Sequence, residues 1–73
     1  MSLRLFRITS PTIALFLEEG RTVARTLPFG AIIAANEVLG NQLIEVQYEG
    51  EKILMFAQDV RARGEEVVAD DTQ

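Results

Sequence analysis

Short apolar runs rich in Ile, Val, Leu and Phe recur along the chain, and segments containing Gly or Pro separate them. Spacings of roughly 8–12 residues between such runs are typical of a small β-barrel or sandwich. About six runs can be counted, which is close to the usual number of strands in one sheet. The pattern predicts an all-β domain of about five to six antiparallel strands over residues 1–68, followed by a frayed acidic tail over residues 69–73.

The first half of the chain predicts a strand over residues 3–8 and then a hairpin. Residues 12–17 and 22–27 form its two strands, and Gly20 between them can adopt the positive φ that most hairpin turns require. Alternation along the first hairpin strand predicts a core-facing side. The side chains expected on that side are Ile13, Leu15 and Leu17.

The middle of the chain contains the one segment with two interpretations. Residues 27–30 (Leu-Pro-Phe-Gly) fit a type I turn. Residues 31–39 suit either a strand or a short helix capped by glycine, and a strand over residues 31–35 is favoured because two adjacent isoleucines follow a turn. Residues 39–42 then suit a two-residue hairpin with glycine first.

The second half predicts two more strands and a short helical turn. Residues 43–48 alternate cleanly, so Ile44, Val46 and Tyr48 should face the core. The run Ile-Leu-Met-Phe within residues 52–57 does not alternate, which predicts burial on both faces. Residues 58–64 predict one or two helical turns closed by Gly64, and residues 65–68 a short last strand.

Composition limits how such a domain is stabilised. The 73 residues are 48% hydrophobic and 25% charged, with no Cys and no His. A core of this size supplies about 3–5 kcal/mol of net stability, and without disulfides or a histidine metal site self-association is the remaining aid. The absence of Cys favours the cytoplasm. Two early arginines argue against a signal peptide, and no apolar stretch is long enough for a membrane span.

The residue types present argue against catalysis, a cofactor or a metal. Without His or Cys, Ser2 and Ser10 have no evident base and are expected to be turn or terminal residues. Asp59 is expected to cap the helical turn or to form an ion pair. Four acidic residues near the end lack the ordered spacing of a calcium loop, and a role in solubility is preferred. They are Glu65, Glu66, Asp70 and Asp71.

Arginine is the least ordinary feature, with six Arg against one Lys. Arginine binds carboxylates and phosphates through two parallel hydrogen bonds, so the bias suits ion pairs or an anion site. Because the formal net charge is −4, pairing with acidic neighbours is favoured and nucleic acid is disfavoured. The candidate residues are Arg61, Arg63, Arg4 and Arg7.

Apolar residues exceed what one small barrel can hide, which predicts an exposed patch that serves as an interface. Phe6 is expected outside the core together with the candidate interface residues. Those residues are Leu54, Phe56, Phe16 and Phe29. We therefore expect a binding or assembly module that forms a homo-oligomer, or binds another protein, through the strand around residues 53–56.

The order of a hairpin, the Leu-Pro-Phe-Gly-Ala-Ile-Ile turn and strand, two hairpin strands and an Asp-Val turn resembles an SH3-like small barrel. That resemblance implies a small binding module. Residues 12–23 are also similar to the early hairpin of Sm-like proteins, and residues 63–68 to their late Arg-Gly strand entry. The second resemblance implies, as an alternative function, RNA or anion binding through clustered arginines.

Overall fold

A computed structural model describes residues 3–68, which form seven β-strands and one short α-helix. The mostly antiparallel β architecture predicted from the sequence is confirmed. In chain order the elements are β1 Arg4–Ile8, β2 Thr12–Glu18, β3 Arg21–Leu27, β4 Ile32–Ala35, β5 Leu43–Tyr48, β6 Glu51–Phe56, α1 Ala57–Arg63 and β7 Gly64–Val67.

All seven strands belong to one sheet with the order β3-β2-β6-β5-β4-β1-β7. Every pairing between neighbours in that order is antiparallel. The predicted barrel is not closed, because β3 and β7 stand at opposite ends of the order and do not pair with each other. The short last strand predicted for residues 65–68 is confirmed as β7, which pairs with β1 and brings the strands of residues 3–68 to seven.

The sheet packs its inner face into a core of thirteen buried apolar residues. The predicted alternation of β5 is confirmed, since Val46 is buried, Ile44 and Tyr48 are half-buried, and Glu45 and Gln47 are exposed. The core residues are Phe6, Ile8, Ala14, Leu27, Ala31, Ile33, Ala35, Val38, Val46, Ile53, Met55, Ala57 and Val60.

The predicted orientation of β2 is wrong. Ala14 is fully buried, whereas Ile13 and Leu17 are 46% and 71% exposed. Residues 13–17 are apolar without interruption, so alternation did not distinguish the faces. The pairing of β2 with β6 determines which residues of β2 face the core, because it places Leu15 opposite Leu54 on the outer face of the sheet.

Two further expectations about burial are corrected. Phe6 lies in the core at 5% exposure, because the inner face of β1 carries Phe6 and Ile8. The expectation that β6 is buried on both faces is also wrong. Ile53 and Met55 point into the core, while Leu54 is half-buried and Phe56 is 45% exposed on the side that no other layer of residues 3–68 covers.

One tight turn lies where the sequence predicts it, and another is displaced by one residue. Glu19 and Gly20, with φ of 52° and 76°, form the two-residue loop between β2 and β3, as a type I′ hairpin requires. The turn predicted at residues 27–30 is displaced by one residue. The backbone N–H of Ala31 donates to the carbonyl of Pro28, and Gly30 takes φ of 93° at the third position, where a type II turn needs it.

The segment between β4 and β5 is a seven-residue loop over residues 36–42, so the predicted two-residue hairpin there is wrong. The strand predicted for residues 31–35 is confirmed as β4. The loop is longer because Val38 turns inward and is only 5% exposed. Arg61 of α1 holds this loop by donating to the carbonyl oxygens of Gly40 at 2.7 Å and Val38 at 3.4 Å.

Helix α1 covers one end of the core with Ala57 and Val60. Asp59 lies inside its first turn and makes no capping hydrogen bond, so the predicted cap is wrong; Phe56 occupies the cap position. Gly64 does not close the helix in the left-handed conformation either, because its φ of −127° is extended and begins β7.

Several expectations concern residues outside the described range. Ser2, Asp70, Asp71 and the tail at residues 69–73 all lie there. Within residues 3–68 there is no group of three or more His, Cys, Asp or Glu side chains arranged to hold a metal ion. No helix in the same part of the chain has the length and apolar character needed to cross a membrane.

Candidate interaction surface

The outer side of β2, β6 and β5 carries an apolar surface that no other element of residues 3–68 covers. Leu15, Leu54 and Glu45 form one row across the three strands, because directly opposed residues share a face. Phe56 and Leu43 are opposite each other in the next row. We call the six apolar residues of this region the outer apolar face: Ile13, Leu15, Leu17, Leu43, Leu54 and Phe56.

Exposure of these side chains is high for residues of their type. Leu17 is 71% exposed, and Ile13, Phe56 and Leu43 are between 41% and 46% exposed. Leu15 and Leu54 at the centre are half-buried. Small and scattered apolar residues are ordinary on a protein surface, but a contiguous group of large ones marks an interaction site.

Polar residues border this apolar group on one side. The ammonium of Lys52 lies 4.0 Å from a carboxylate oxygen of Glu45. Leu17 and Thr22 line a shallow depression of about 200 Å³ together with Leu54 and Lys52. An apolar centre with a polar rim is the usual anatomy of a protein interface.

The four predicted interface residues do not share one surface. Leu54 and Phe56 lie on the outer apolar face. Phe16 lies on the inner side of β2, half-buried and edge-to-face with Tyr48 at 6.3 Å between ring centroids. Phe29 is 70% exposed in the turn before β4 and lines a separate depression with Ile32 and Tyr48.

Three of the four predicted arginines have hydrogen-bond acceptors, and the acceptors differ. Arg4 donates two hydrogen bonds to the carboxylate of Glu66, at 3.0 and 2.9 Å, and its guanidinium lies 5.4 Å from the Phe6 ring centroid. Arg7 is exposed on β1 opposite Glu65. Arg61 binds the carbonyls of the loop over residues 36–42.

Arg63 is the fourth predicted arginine, and its acceptor is also a backbone carbonyl. It donates to the carbonyl oxygen of Pro11 at 3.3 Å. Arg61 and Arg63 are two positions apart on a helix, and side chains at that spacing do not face each other. The structure therefore gives Arg4, Arg61 and Arg63 separate acceptors rather than one common anion site.

Ion pairing lowers the pKa of two carboxylates. Hydrogen bonds from the Arg4 guanidinium hold the pKa of Glu66 below its ordinary value. Arg25 donates to both carboxylate oxygens of Glu18, at 2.8 and 2.9 Å, and these hydrogen bonds lower the pKa of Glu18 in the same way. Both pairs are solvent-exposed, so they orient side chains more than they stabilise the fold.

A concavity of about 810 Å³ lies beside the loop over residues 36–42. Its lining mixes charged and apolar side chains, including Arg4, Glu37, Leu39 and Ile44. It is open and shallow, and none of its lining side chains is a nucleophile paired with a base.

The sequence pattern predicts only part of the outer apolar face. Leu54 and Phe56 were expected there, but Ile13, Leu15 and Leu17 were assigned to the core. The uninterrupted apolar run of residues 13–17 was a partial signal, since it makes both sides of β2 apolar and one of them is exposed if no second layer covers the sheet.

No family model matches this chain, and neither the curated proteins nor the solved structures include one with significant similarity to it.

Proposed function

We propose that this chain is a small non-catalytic binding and assembly module that associates with further copies of itself through the outer apolar face. The observation that carries the proposal is the contiguity of Leu15, Leu54, Phe56 and Leu43 on one uncovered side of the sheet. Burying such a group against a partner removes apolar surface from water, which stabilises association by about 25 cal/mol per Å² before the costs of binding.

The size of the chain supports the same proposal. A domain of 73 residues without disulfides has little net stability of its own. Covering the apolar residues of β2 and β6 with a second copy would stabilise the fold as well as the complex, because anything that binds only the folded state shifts the folding equilibrium.

Leu54→Lys tests the proposal, because it places a charge at the centre of the outer apolar face. Gln47→Lys is the matched control, since Gln47 is exposed on the outer side of the neighbouring strand and the charge change is identical. We expect Leu54→Lys to weaken self-association at least about tenfold, equivalent to about 1.4 kcal/mol, in sedimentation velocity over a concentration series. Gln47→Lys should leave it nearly unchanged.

Circular dichroism and thermal unfolding of both variants would show that they remain folded. Two outcomes would contradict the proposal: a wild-type chain that stays monomeric at several hundred micromolar, and equal association of the two variants. In either case the outer apolar face would not be the interface.

The alternative of RNA or anion binding has less support. Arg4 and Arg25 are paired with glutamates, and Arg61 and Arg63 donate to backbone carbonyls. The net charge of −4 also opposes approach of a phosphate backbone. Salt-sensitive RNA binding that Arg63→Ala weakens would favour this alternative. Cytoplasmic residence, the absence of catalysis and the likeness to SH3-like barrels stay predictions.

A further inference from the structure

Within the sheet formed by residues 3–68, strand β3 is a long free edge. It spans seven residues and its hydrogen-bonded neighbour in the strand order is β2 alone. The opposite edge, β7, has four residues and carries Glu65 and Glu66. Short length and charge are common ways of keeping an edge strand from pairing with another chain, so β7 is protected by both.

The hairpin geometry shows which backbone groups of β3 are free. Glu18 and Arg21 flank the two-residue loop, so they form a hydrogen-bonded pair, and every second residue of β3 then bonds to β2. The intervening residues direct their N–H and C=O groups away from β2. These are Thr22, Ala24 and Thr26.

This edge lacks the usual protection. It contains no proline, and seven consecutive register pairs with β2 leave no bulge that would twist it away. Of its two charged side chains, Arg25 is held back over β2 by its hydrogen bonds to Glu18. The three residues with free backbone groups have small, uncharged side chains.

We infer that a second copy of this chain docks on this edge, with the two β3 strands antiparallel and Ala24 on the two-fold axis. In that register the free groups of Thr22 meet those of the partner's Thr26, and Ala24 meets its own counterpart. Six backbone hydrogen bonds would close three hydrogen-bonded pairs, and all seven residues of β3 would be paired.

The side chains are compatible with this register. Thr22 and Thr26 of the two copies face each other on the outer side, and threonine pairs of this kind favour strand pairing. On the inner side Arg25 lies opposite the partner's Val23 and Arg21 opposite the partner's Leu27, so no two like charges are directly opposed. This self-complementarity selects a second copy as the occupant.

The inference rests on the proposed function only in taking the chain to associate with itself, and it uses a different surface. A two-fold axis perpendicular to the sheet keeps the outer side of both copies on the same side of the joined sheet. The outer apolar face of each copy therefore stays available, and the two interfaces can operate together.

Single cysteines test the register directly, because the wild-type chain contains none. Opposed residues of a hydrogen-bonded pair have Cα atoms about 5.5 Å apart, within the range that a disulfide spans. We expect Ala24→Cys to form a disulfide-linked dimer on mild oxidation. Thr22→Cys is the matched control, since the two copies of residue 22 would be about 14 Å apart along the strands.

A mixture of Thr22→Cys and Thr26→Cys chains adds a second check. Each alone should cross-link poorly, whereas the mixture should give the mixed dimer, because residue 22 of one copy faces residue 26 of the other. Cross-linking of Ala24→Cys no faster than Thr22→Cys, with no preference for the mixed dimer, would overturn the inference.

Ala24→Pro separates this interface from the outer apolar face. The N–H that proline removes points to the free edge, so pairing of β3 with β2 keeps its hydrogen bonds. We expect this variant to lose the edge-to-edge dimer and Leu54→Lys to retain it. If Leu54→Lys alone weakens association, the edge inference fails and the proposed function stands; if Ala24→Pro alone does so, the reverse holds.

Discussion

At the residue scale, Gly64 is required for a reason unrelated to turn formation. Its backbone is extended, with φ of −127°, a conformation that any residue adopts. A Cβ atom built on it would lie 2.7 Å from the carbonyl oxygen of Val60, which is backbone and held in α1. The glycine therefore permits the abrupt change from α1 to β7.

Gly64→Asn should destabilise the fold by about 1–3 kcal/mol, the usual effect of forcing extra atoms into a packed site. Gly50→Asn is the control, because Gly50 has φ of 80° with open space around its Cβ position, and asparagine tolerates the left-handed region. Urea unfolding measures both. If Gly50→Asn lowered the free energy of unfolding as much as Gly64→Asn, contact with Val60 would not be the cause of the destabilisation.

The pair Arg4 and Glu66 predicts a titration that can be assigned to one residue. Because the pKa of Glu66 is lowered in the folded state, its contribution to stability is present above the unfolded carboxyl pKa. That contribution is lost as the pH falls through the folded pKa. We expect Arg4→Gln to raise the pKa of Glu66 and to remove this part of the acid dependence.

Carboxyl NMR titration of two variants checks the assignment. Arg25→Gln should raise the pKa of Glu18, which Arg25 lowers, and leave the pKa of Glu66 unchanged. Arg4→Gln should do the opposite. A Glu66 pKa that does not change in Arg4→Gln would mean that the ion pair does not persist in solution.

At the scale of elements, strands with one polar side were predictable and strands apolar on both sides were not. Alternation along β5 identified Val46 as a core residue, and the structure buries it to 1% exposure. The run at residues 13–17 offered no such contrast, so its orientation depended on the long-range contact between Leu15 and Leu54. Local pattern carries no information about a pairing of that kind.

Loop lengths could be predicted from the sequence only where the turn signal was local. Gly20 lies in the two-residue loop that its sequence indicates, and its φ is positive. The loop over residues 36–42 was mispredicted because the burial of Val38 and the hydrogen bonds from Arg61 come from other parts of the fold. Neither contact is local in sequence.

Val46→Asp and Gln47→Asp test the register of β5. An unpaired carboxylate in place of Val46 would be buried in the core, and we expect it to unfold the domain. The same substitution at the exposed Gln47 should be tolerated. Chemical unfolding of the pair measures this difference. Similar stability of the two variants would mean that the orientation assigned to β5 is wrong.

At the scale of the whole molecule, the sheet is open, and the other elements of residues 3–68 leave one of its sides uncovered and one long edge free. The sequence indicated excess apolar surface and included Leu54 and Phe56 in it, but it placed Phe6 there wrongly. The free edge was beyond prediction, because the strand order that leaves β3 outermost depends on pairings between distant segments. Both features support the proposal that this chain associates with further copies of itself.

The mass of the wild-type chain in solution tests this account most directly. Sedimentation velocity from about 1 μM to several hundred micromolar covers the range of typical self-association constants. Self-association predicts a mass that rises with concentration above the 8.1 kDa of one chain. A constant mass of 8.1 kDa across that range would contradict it.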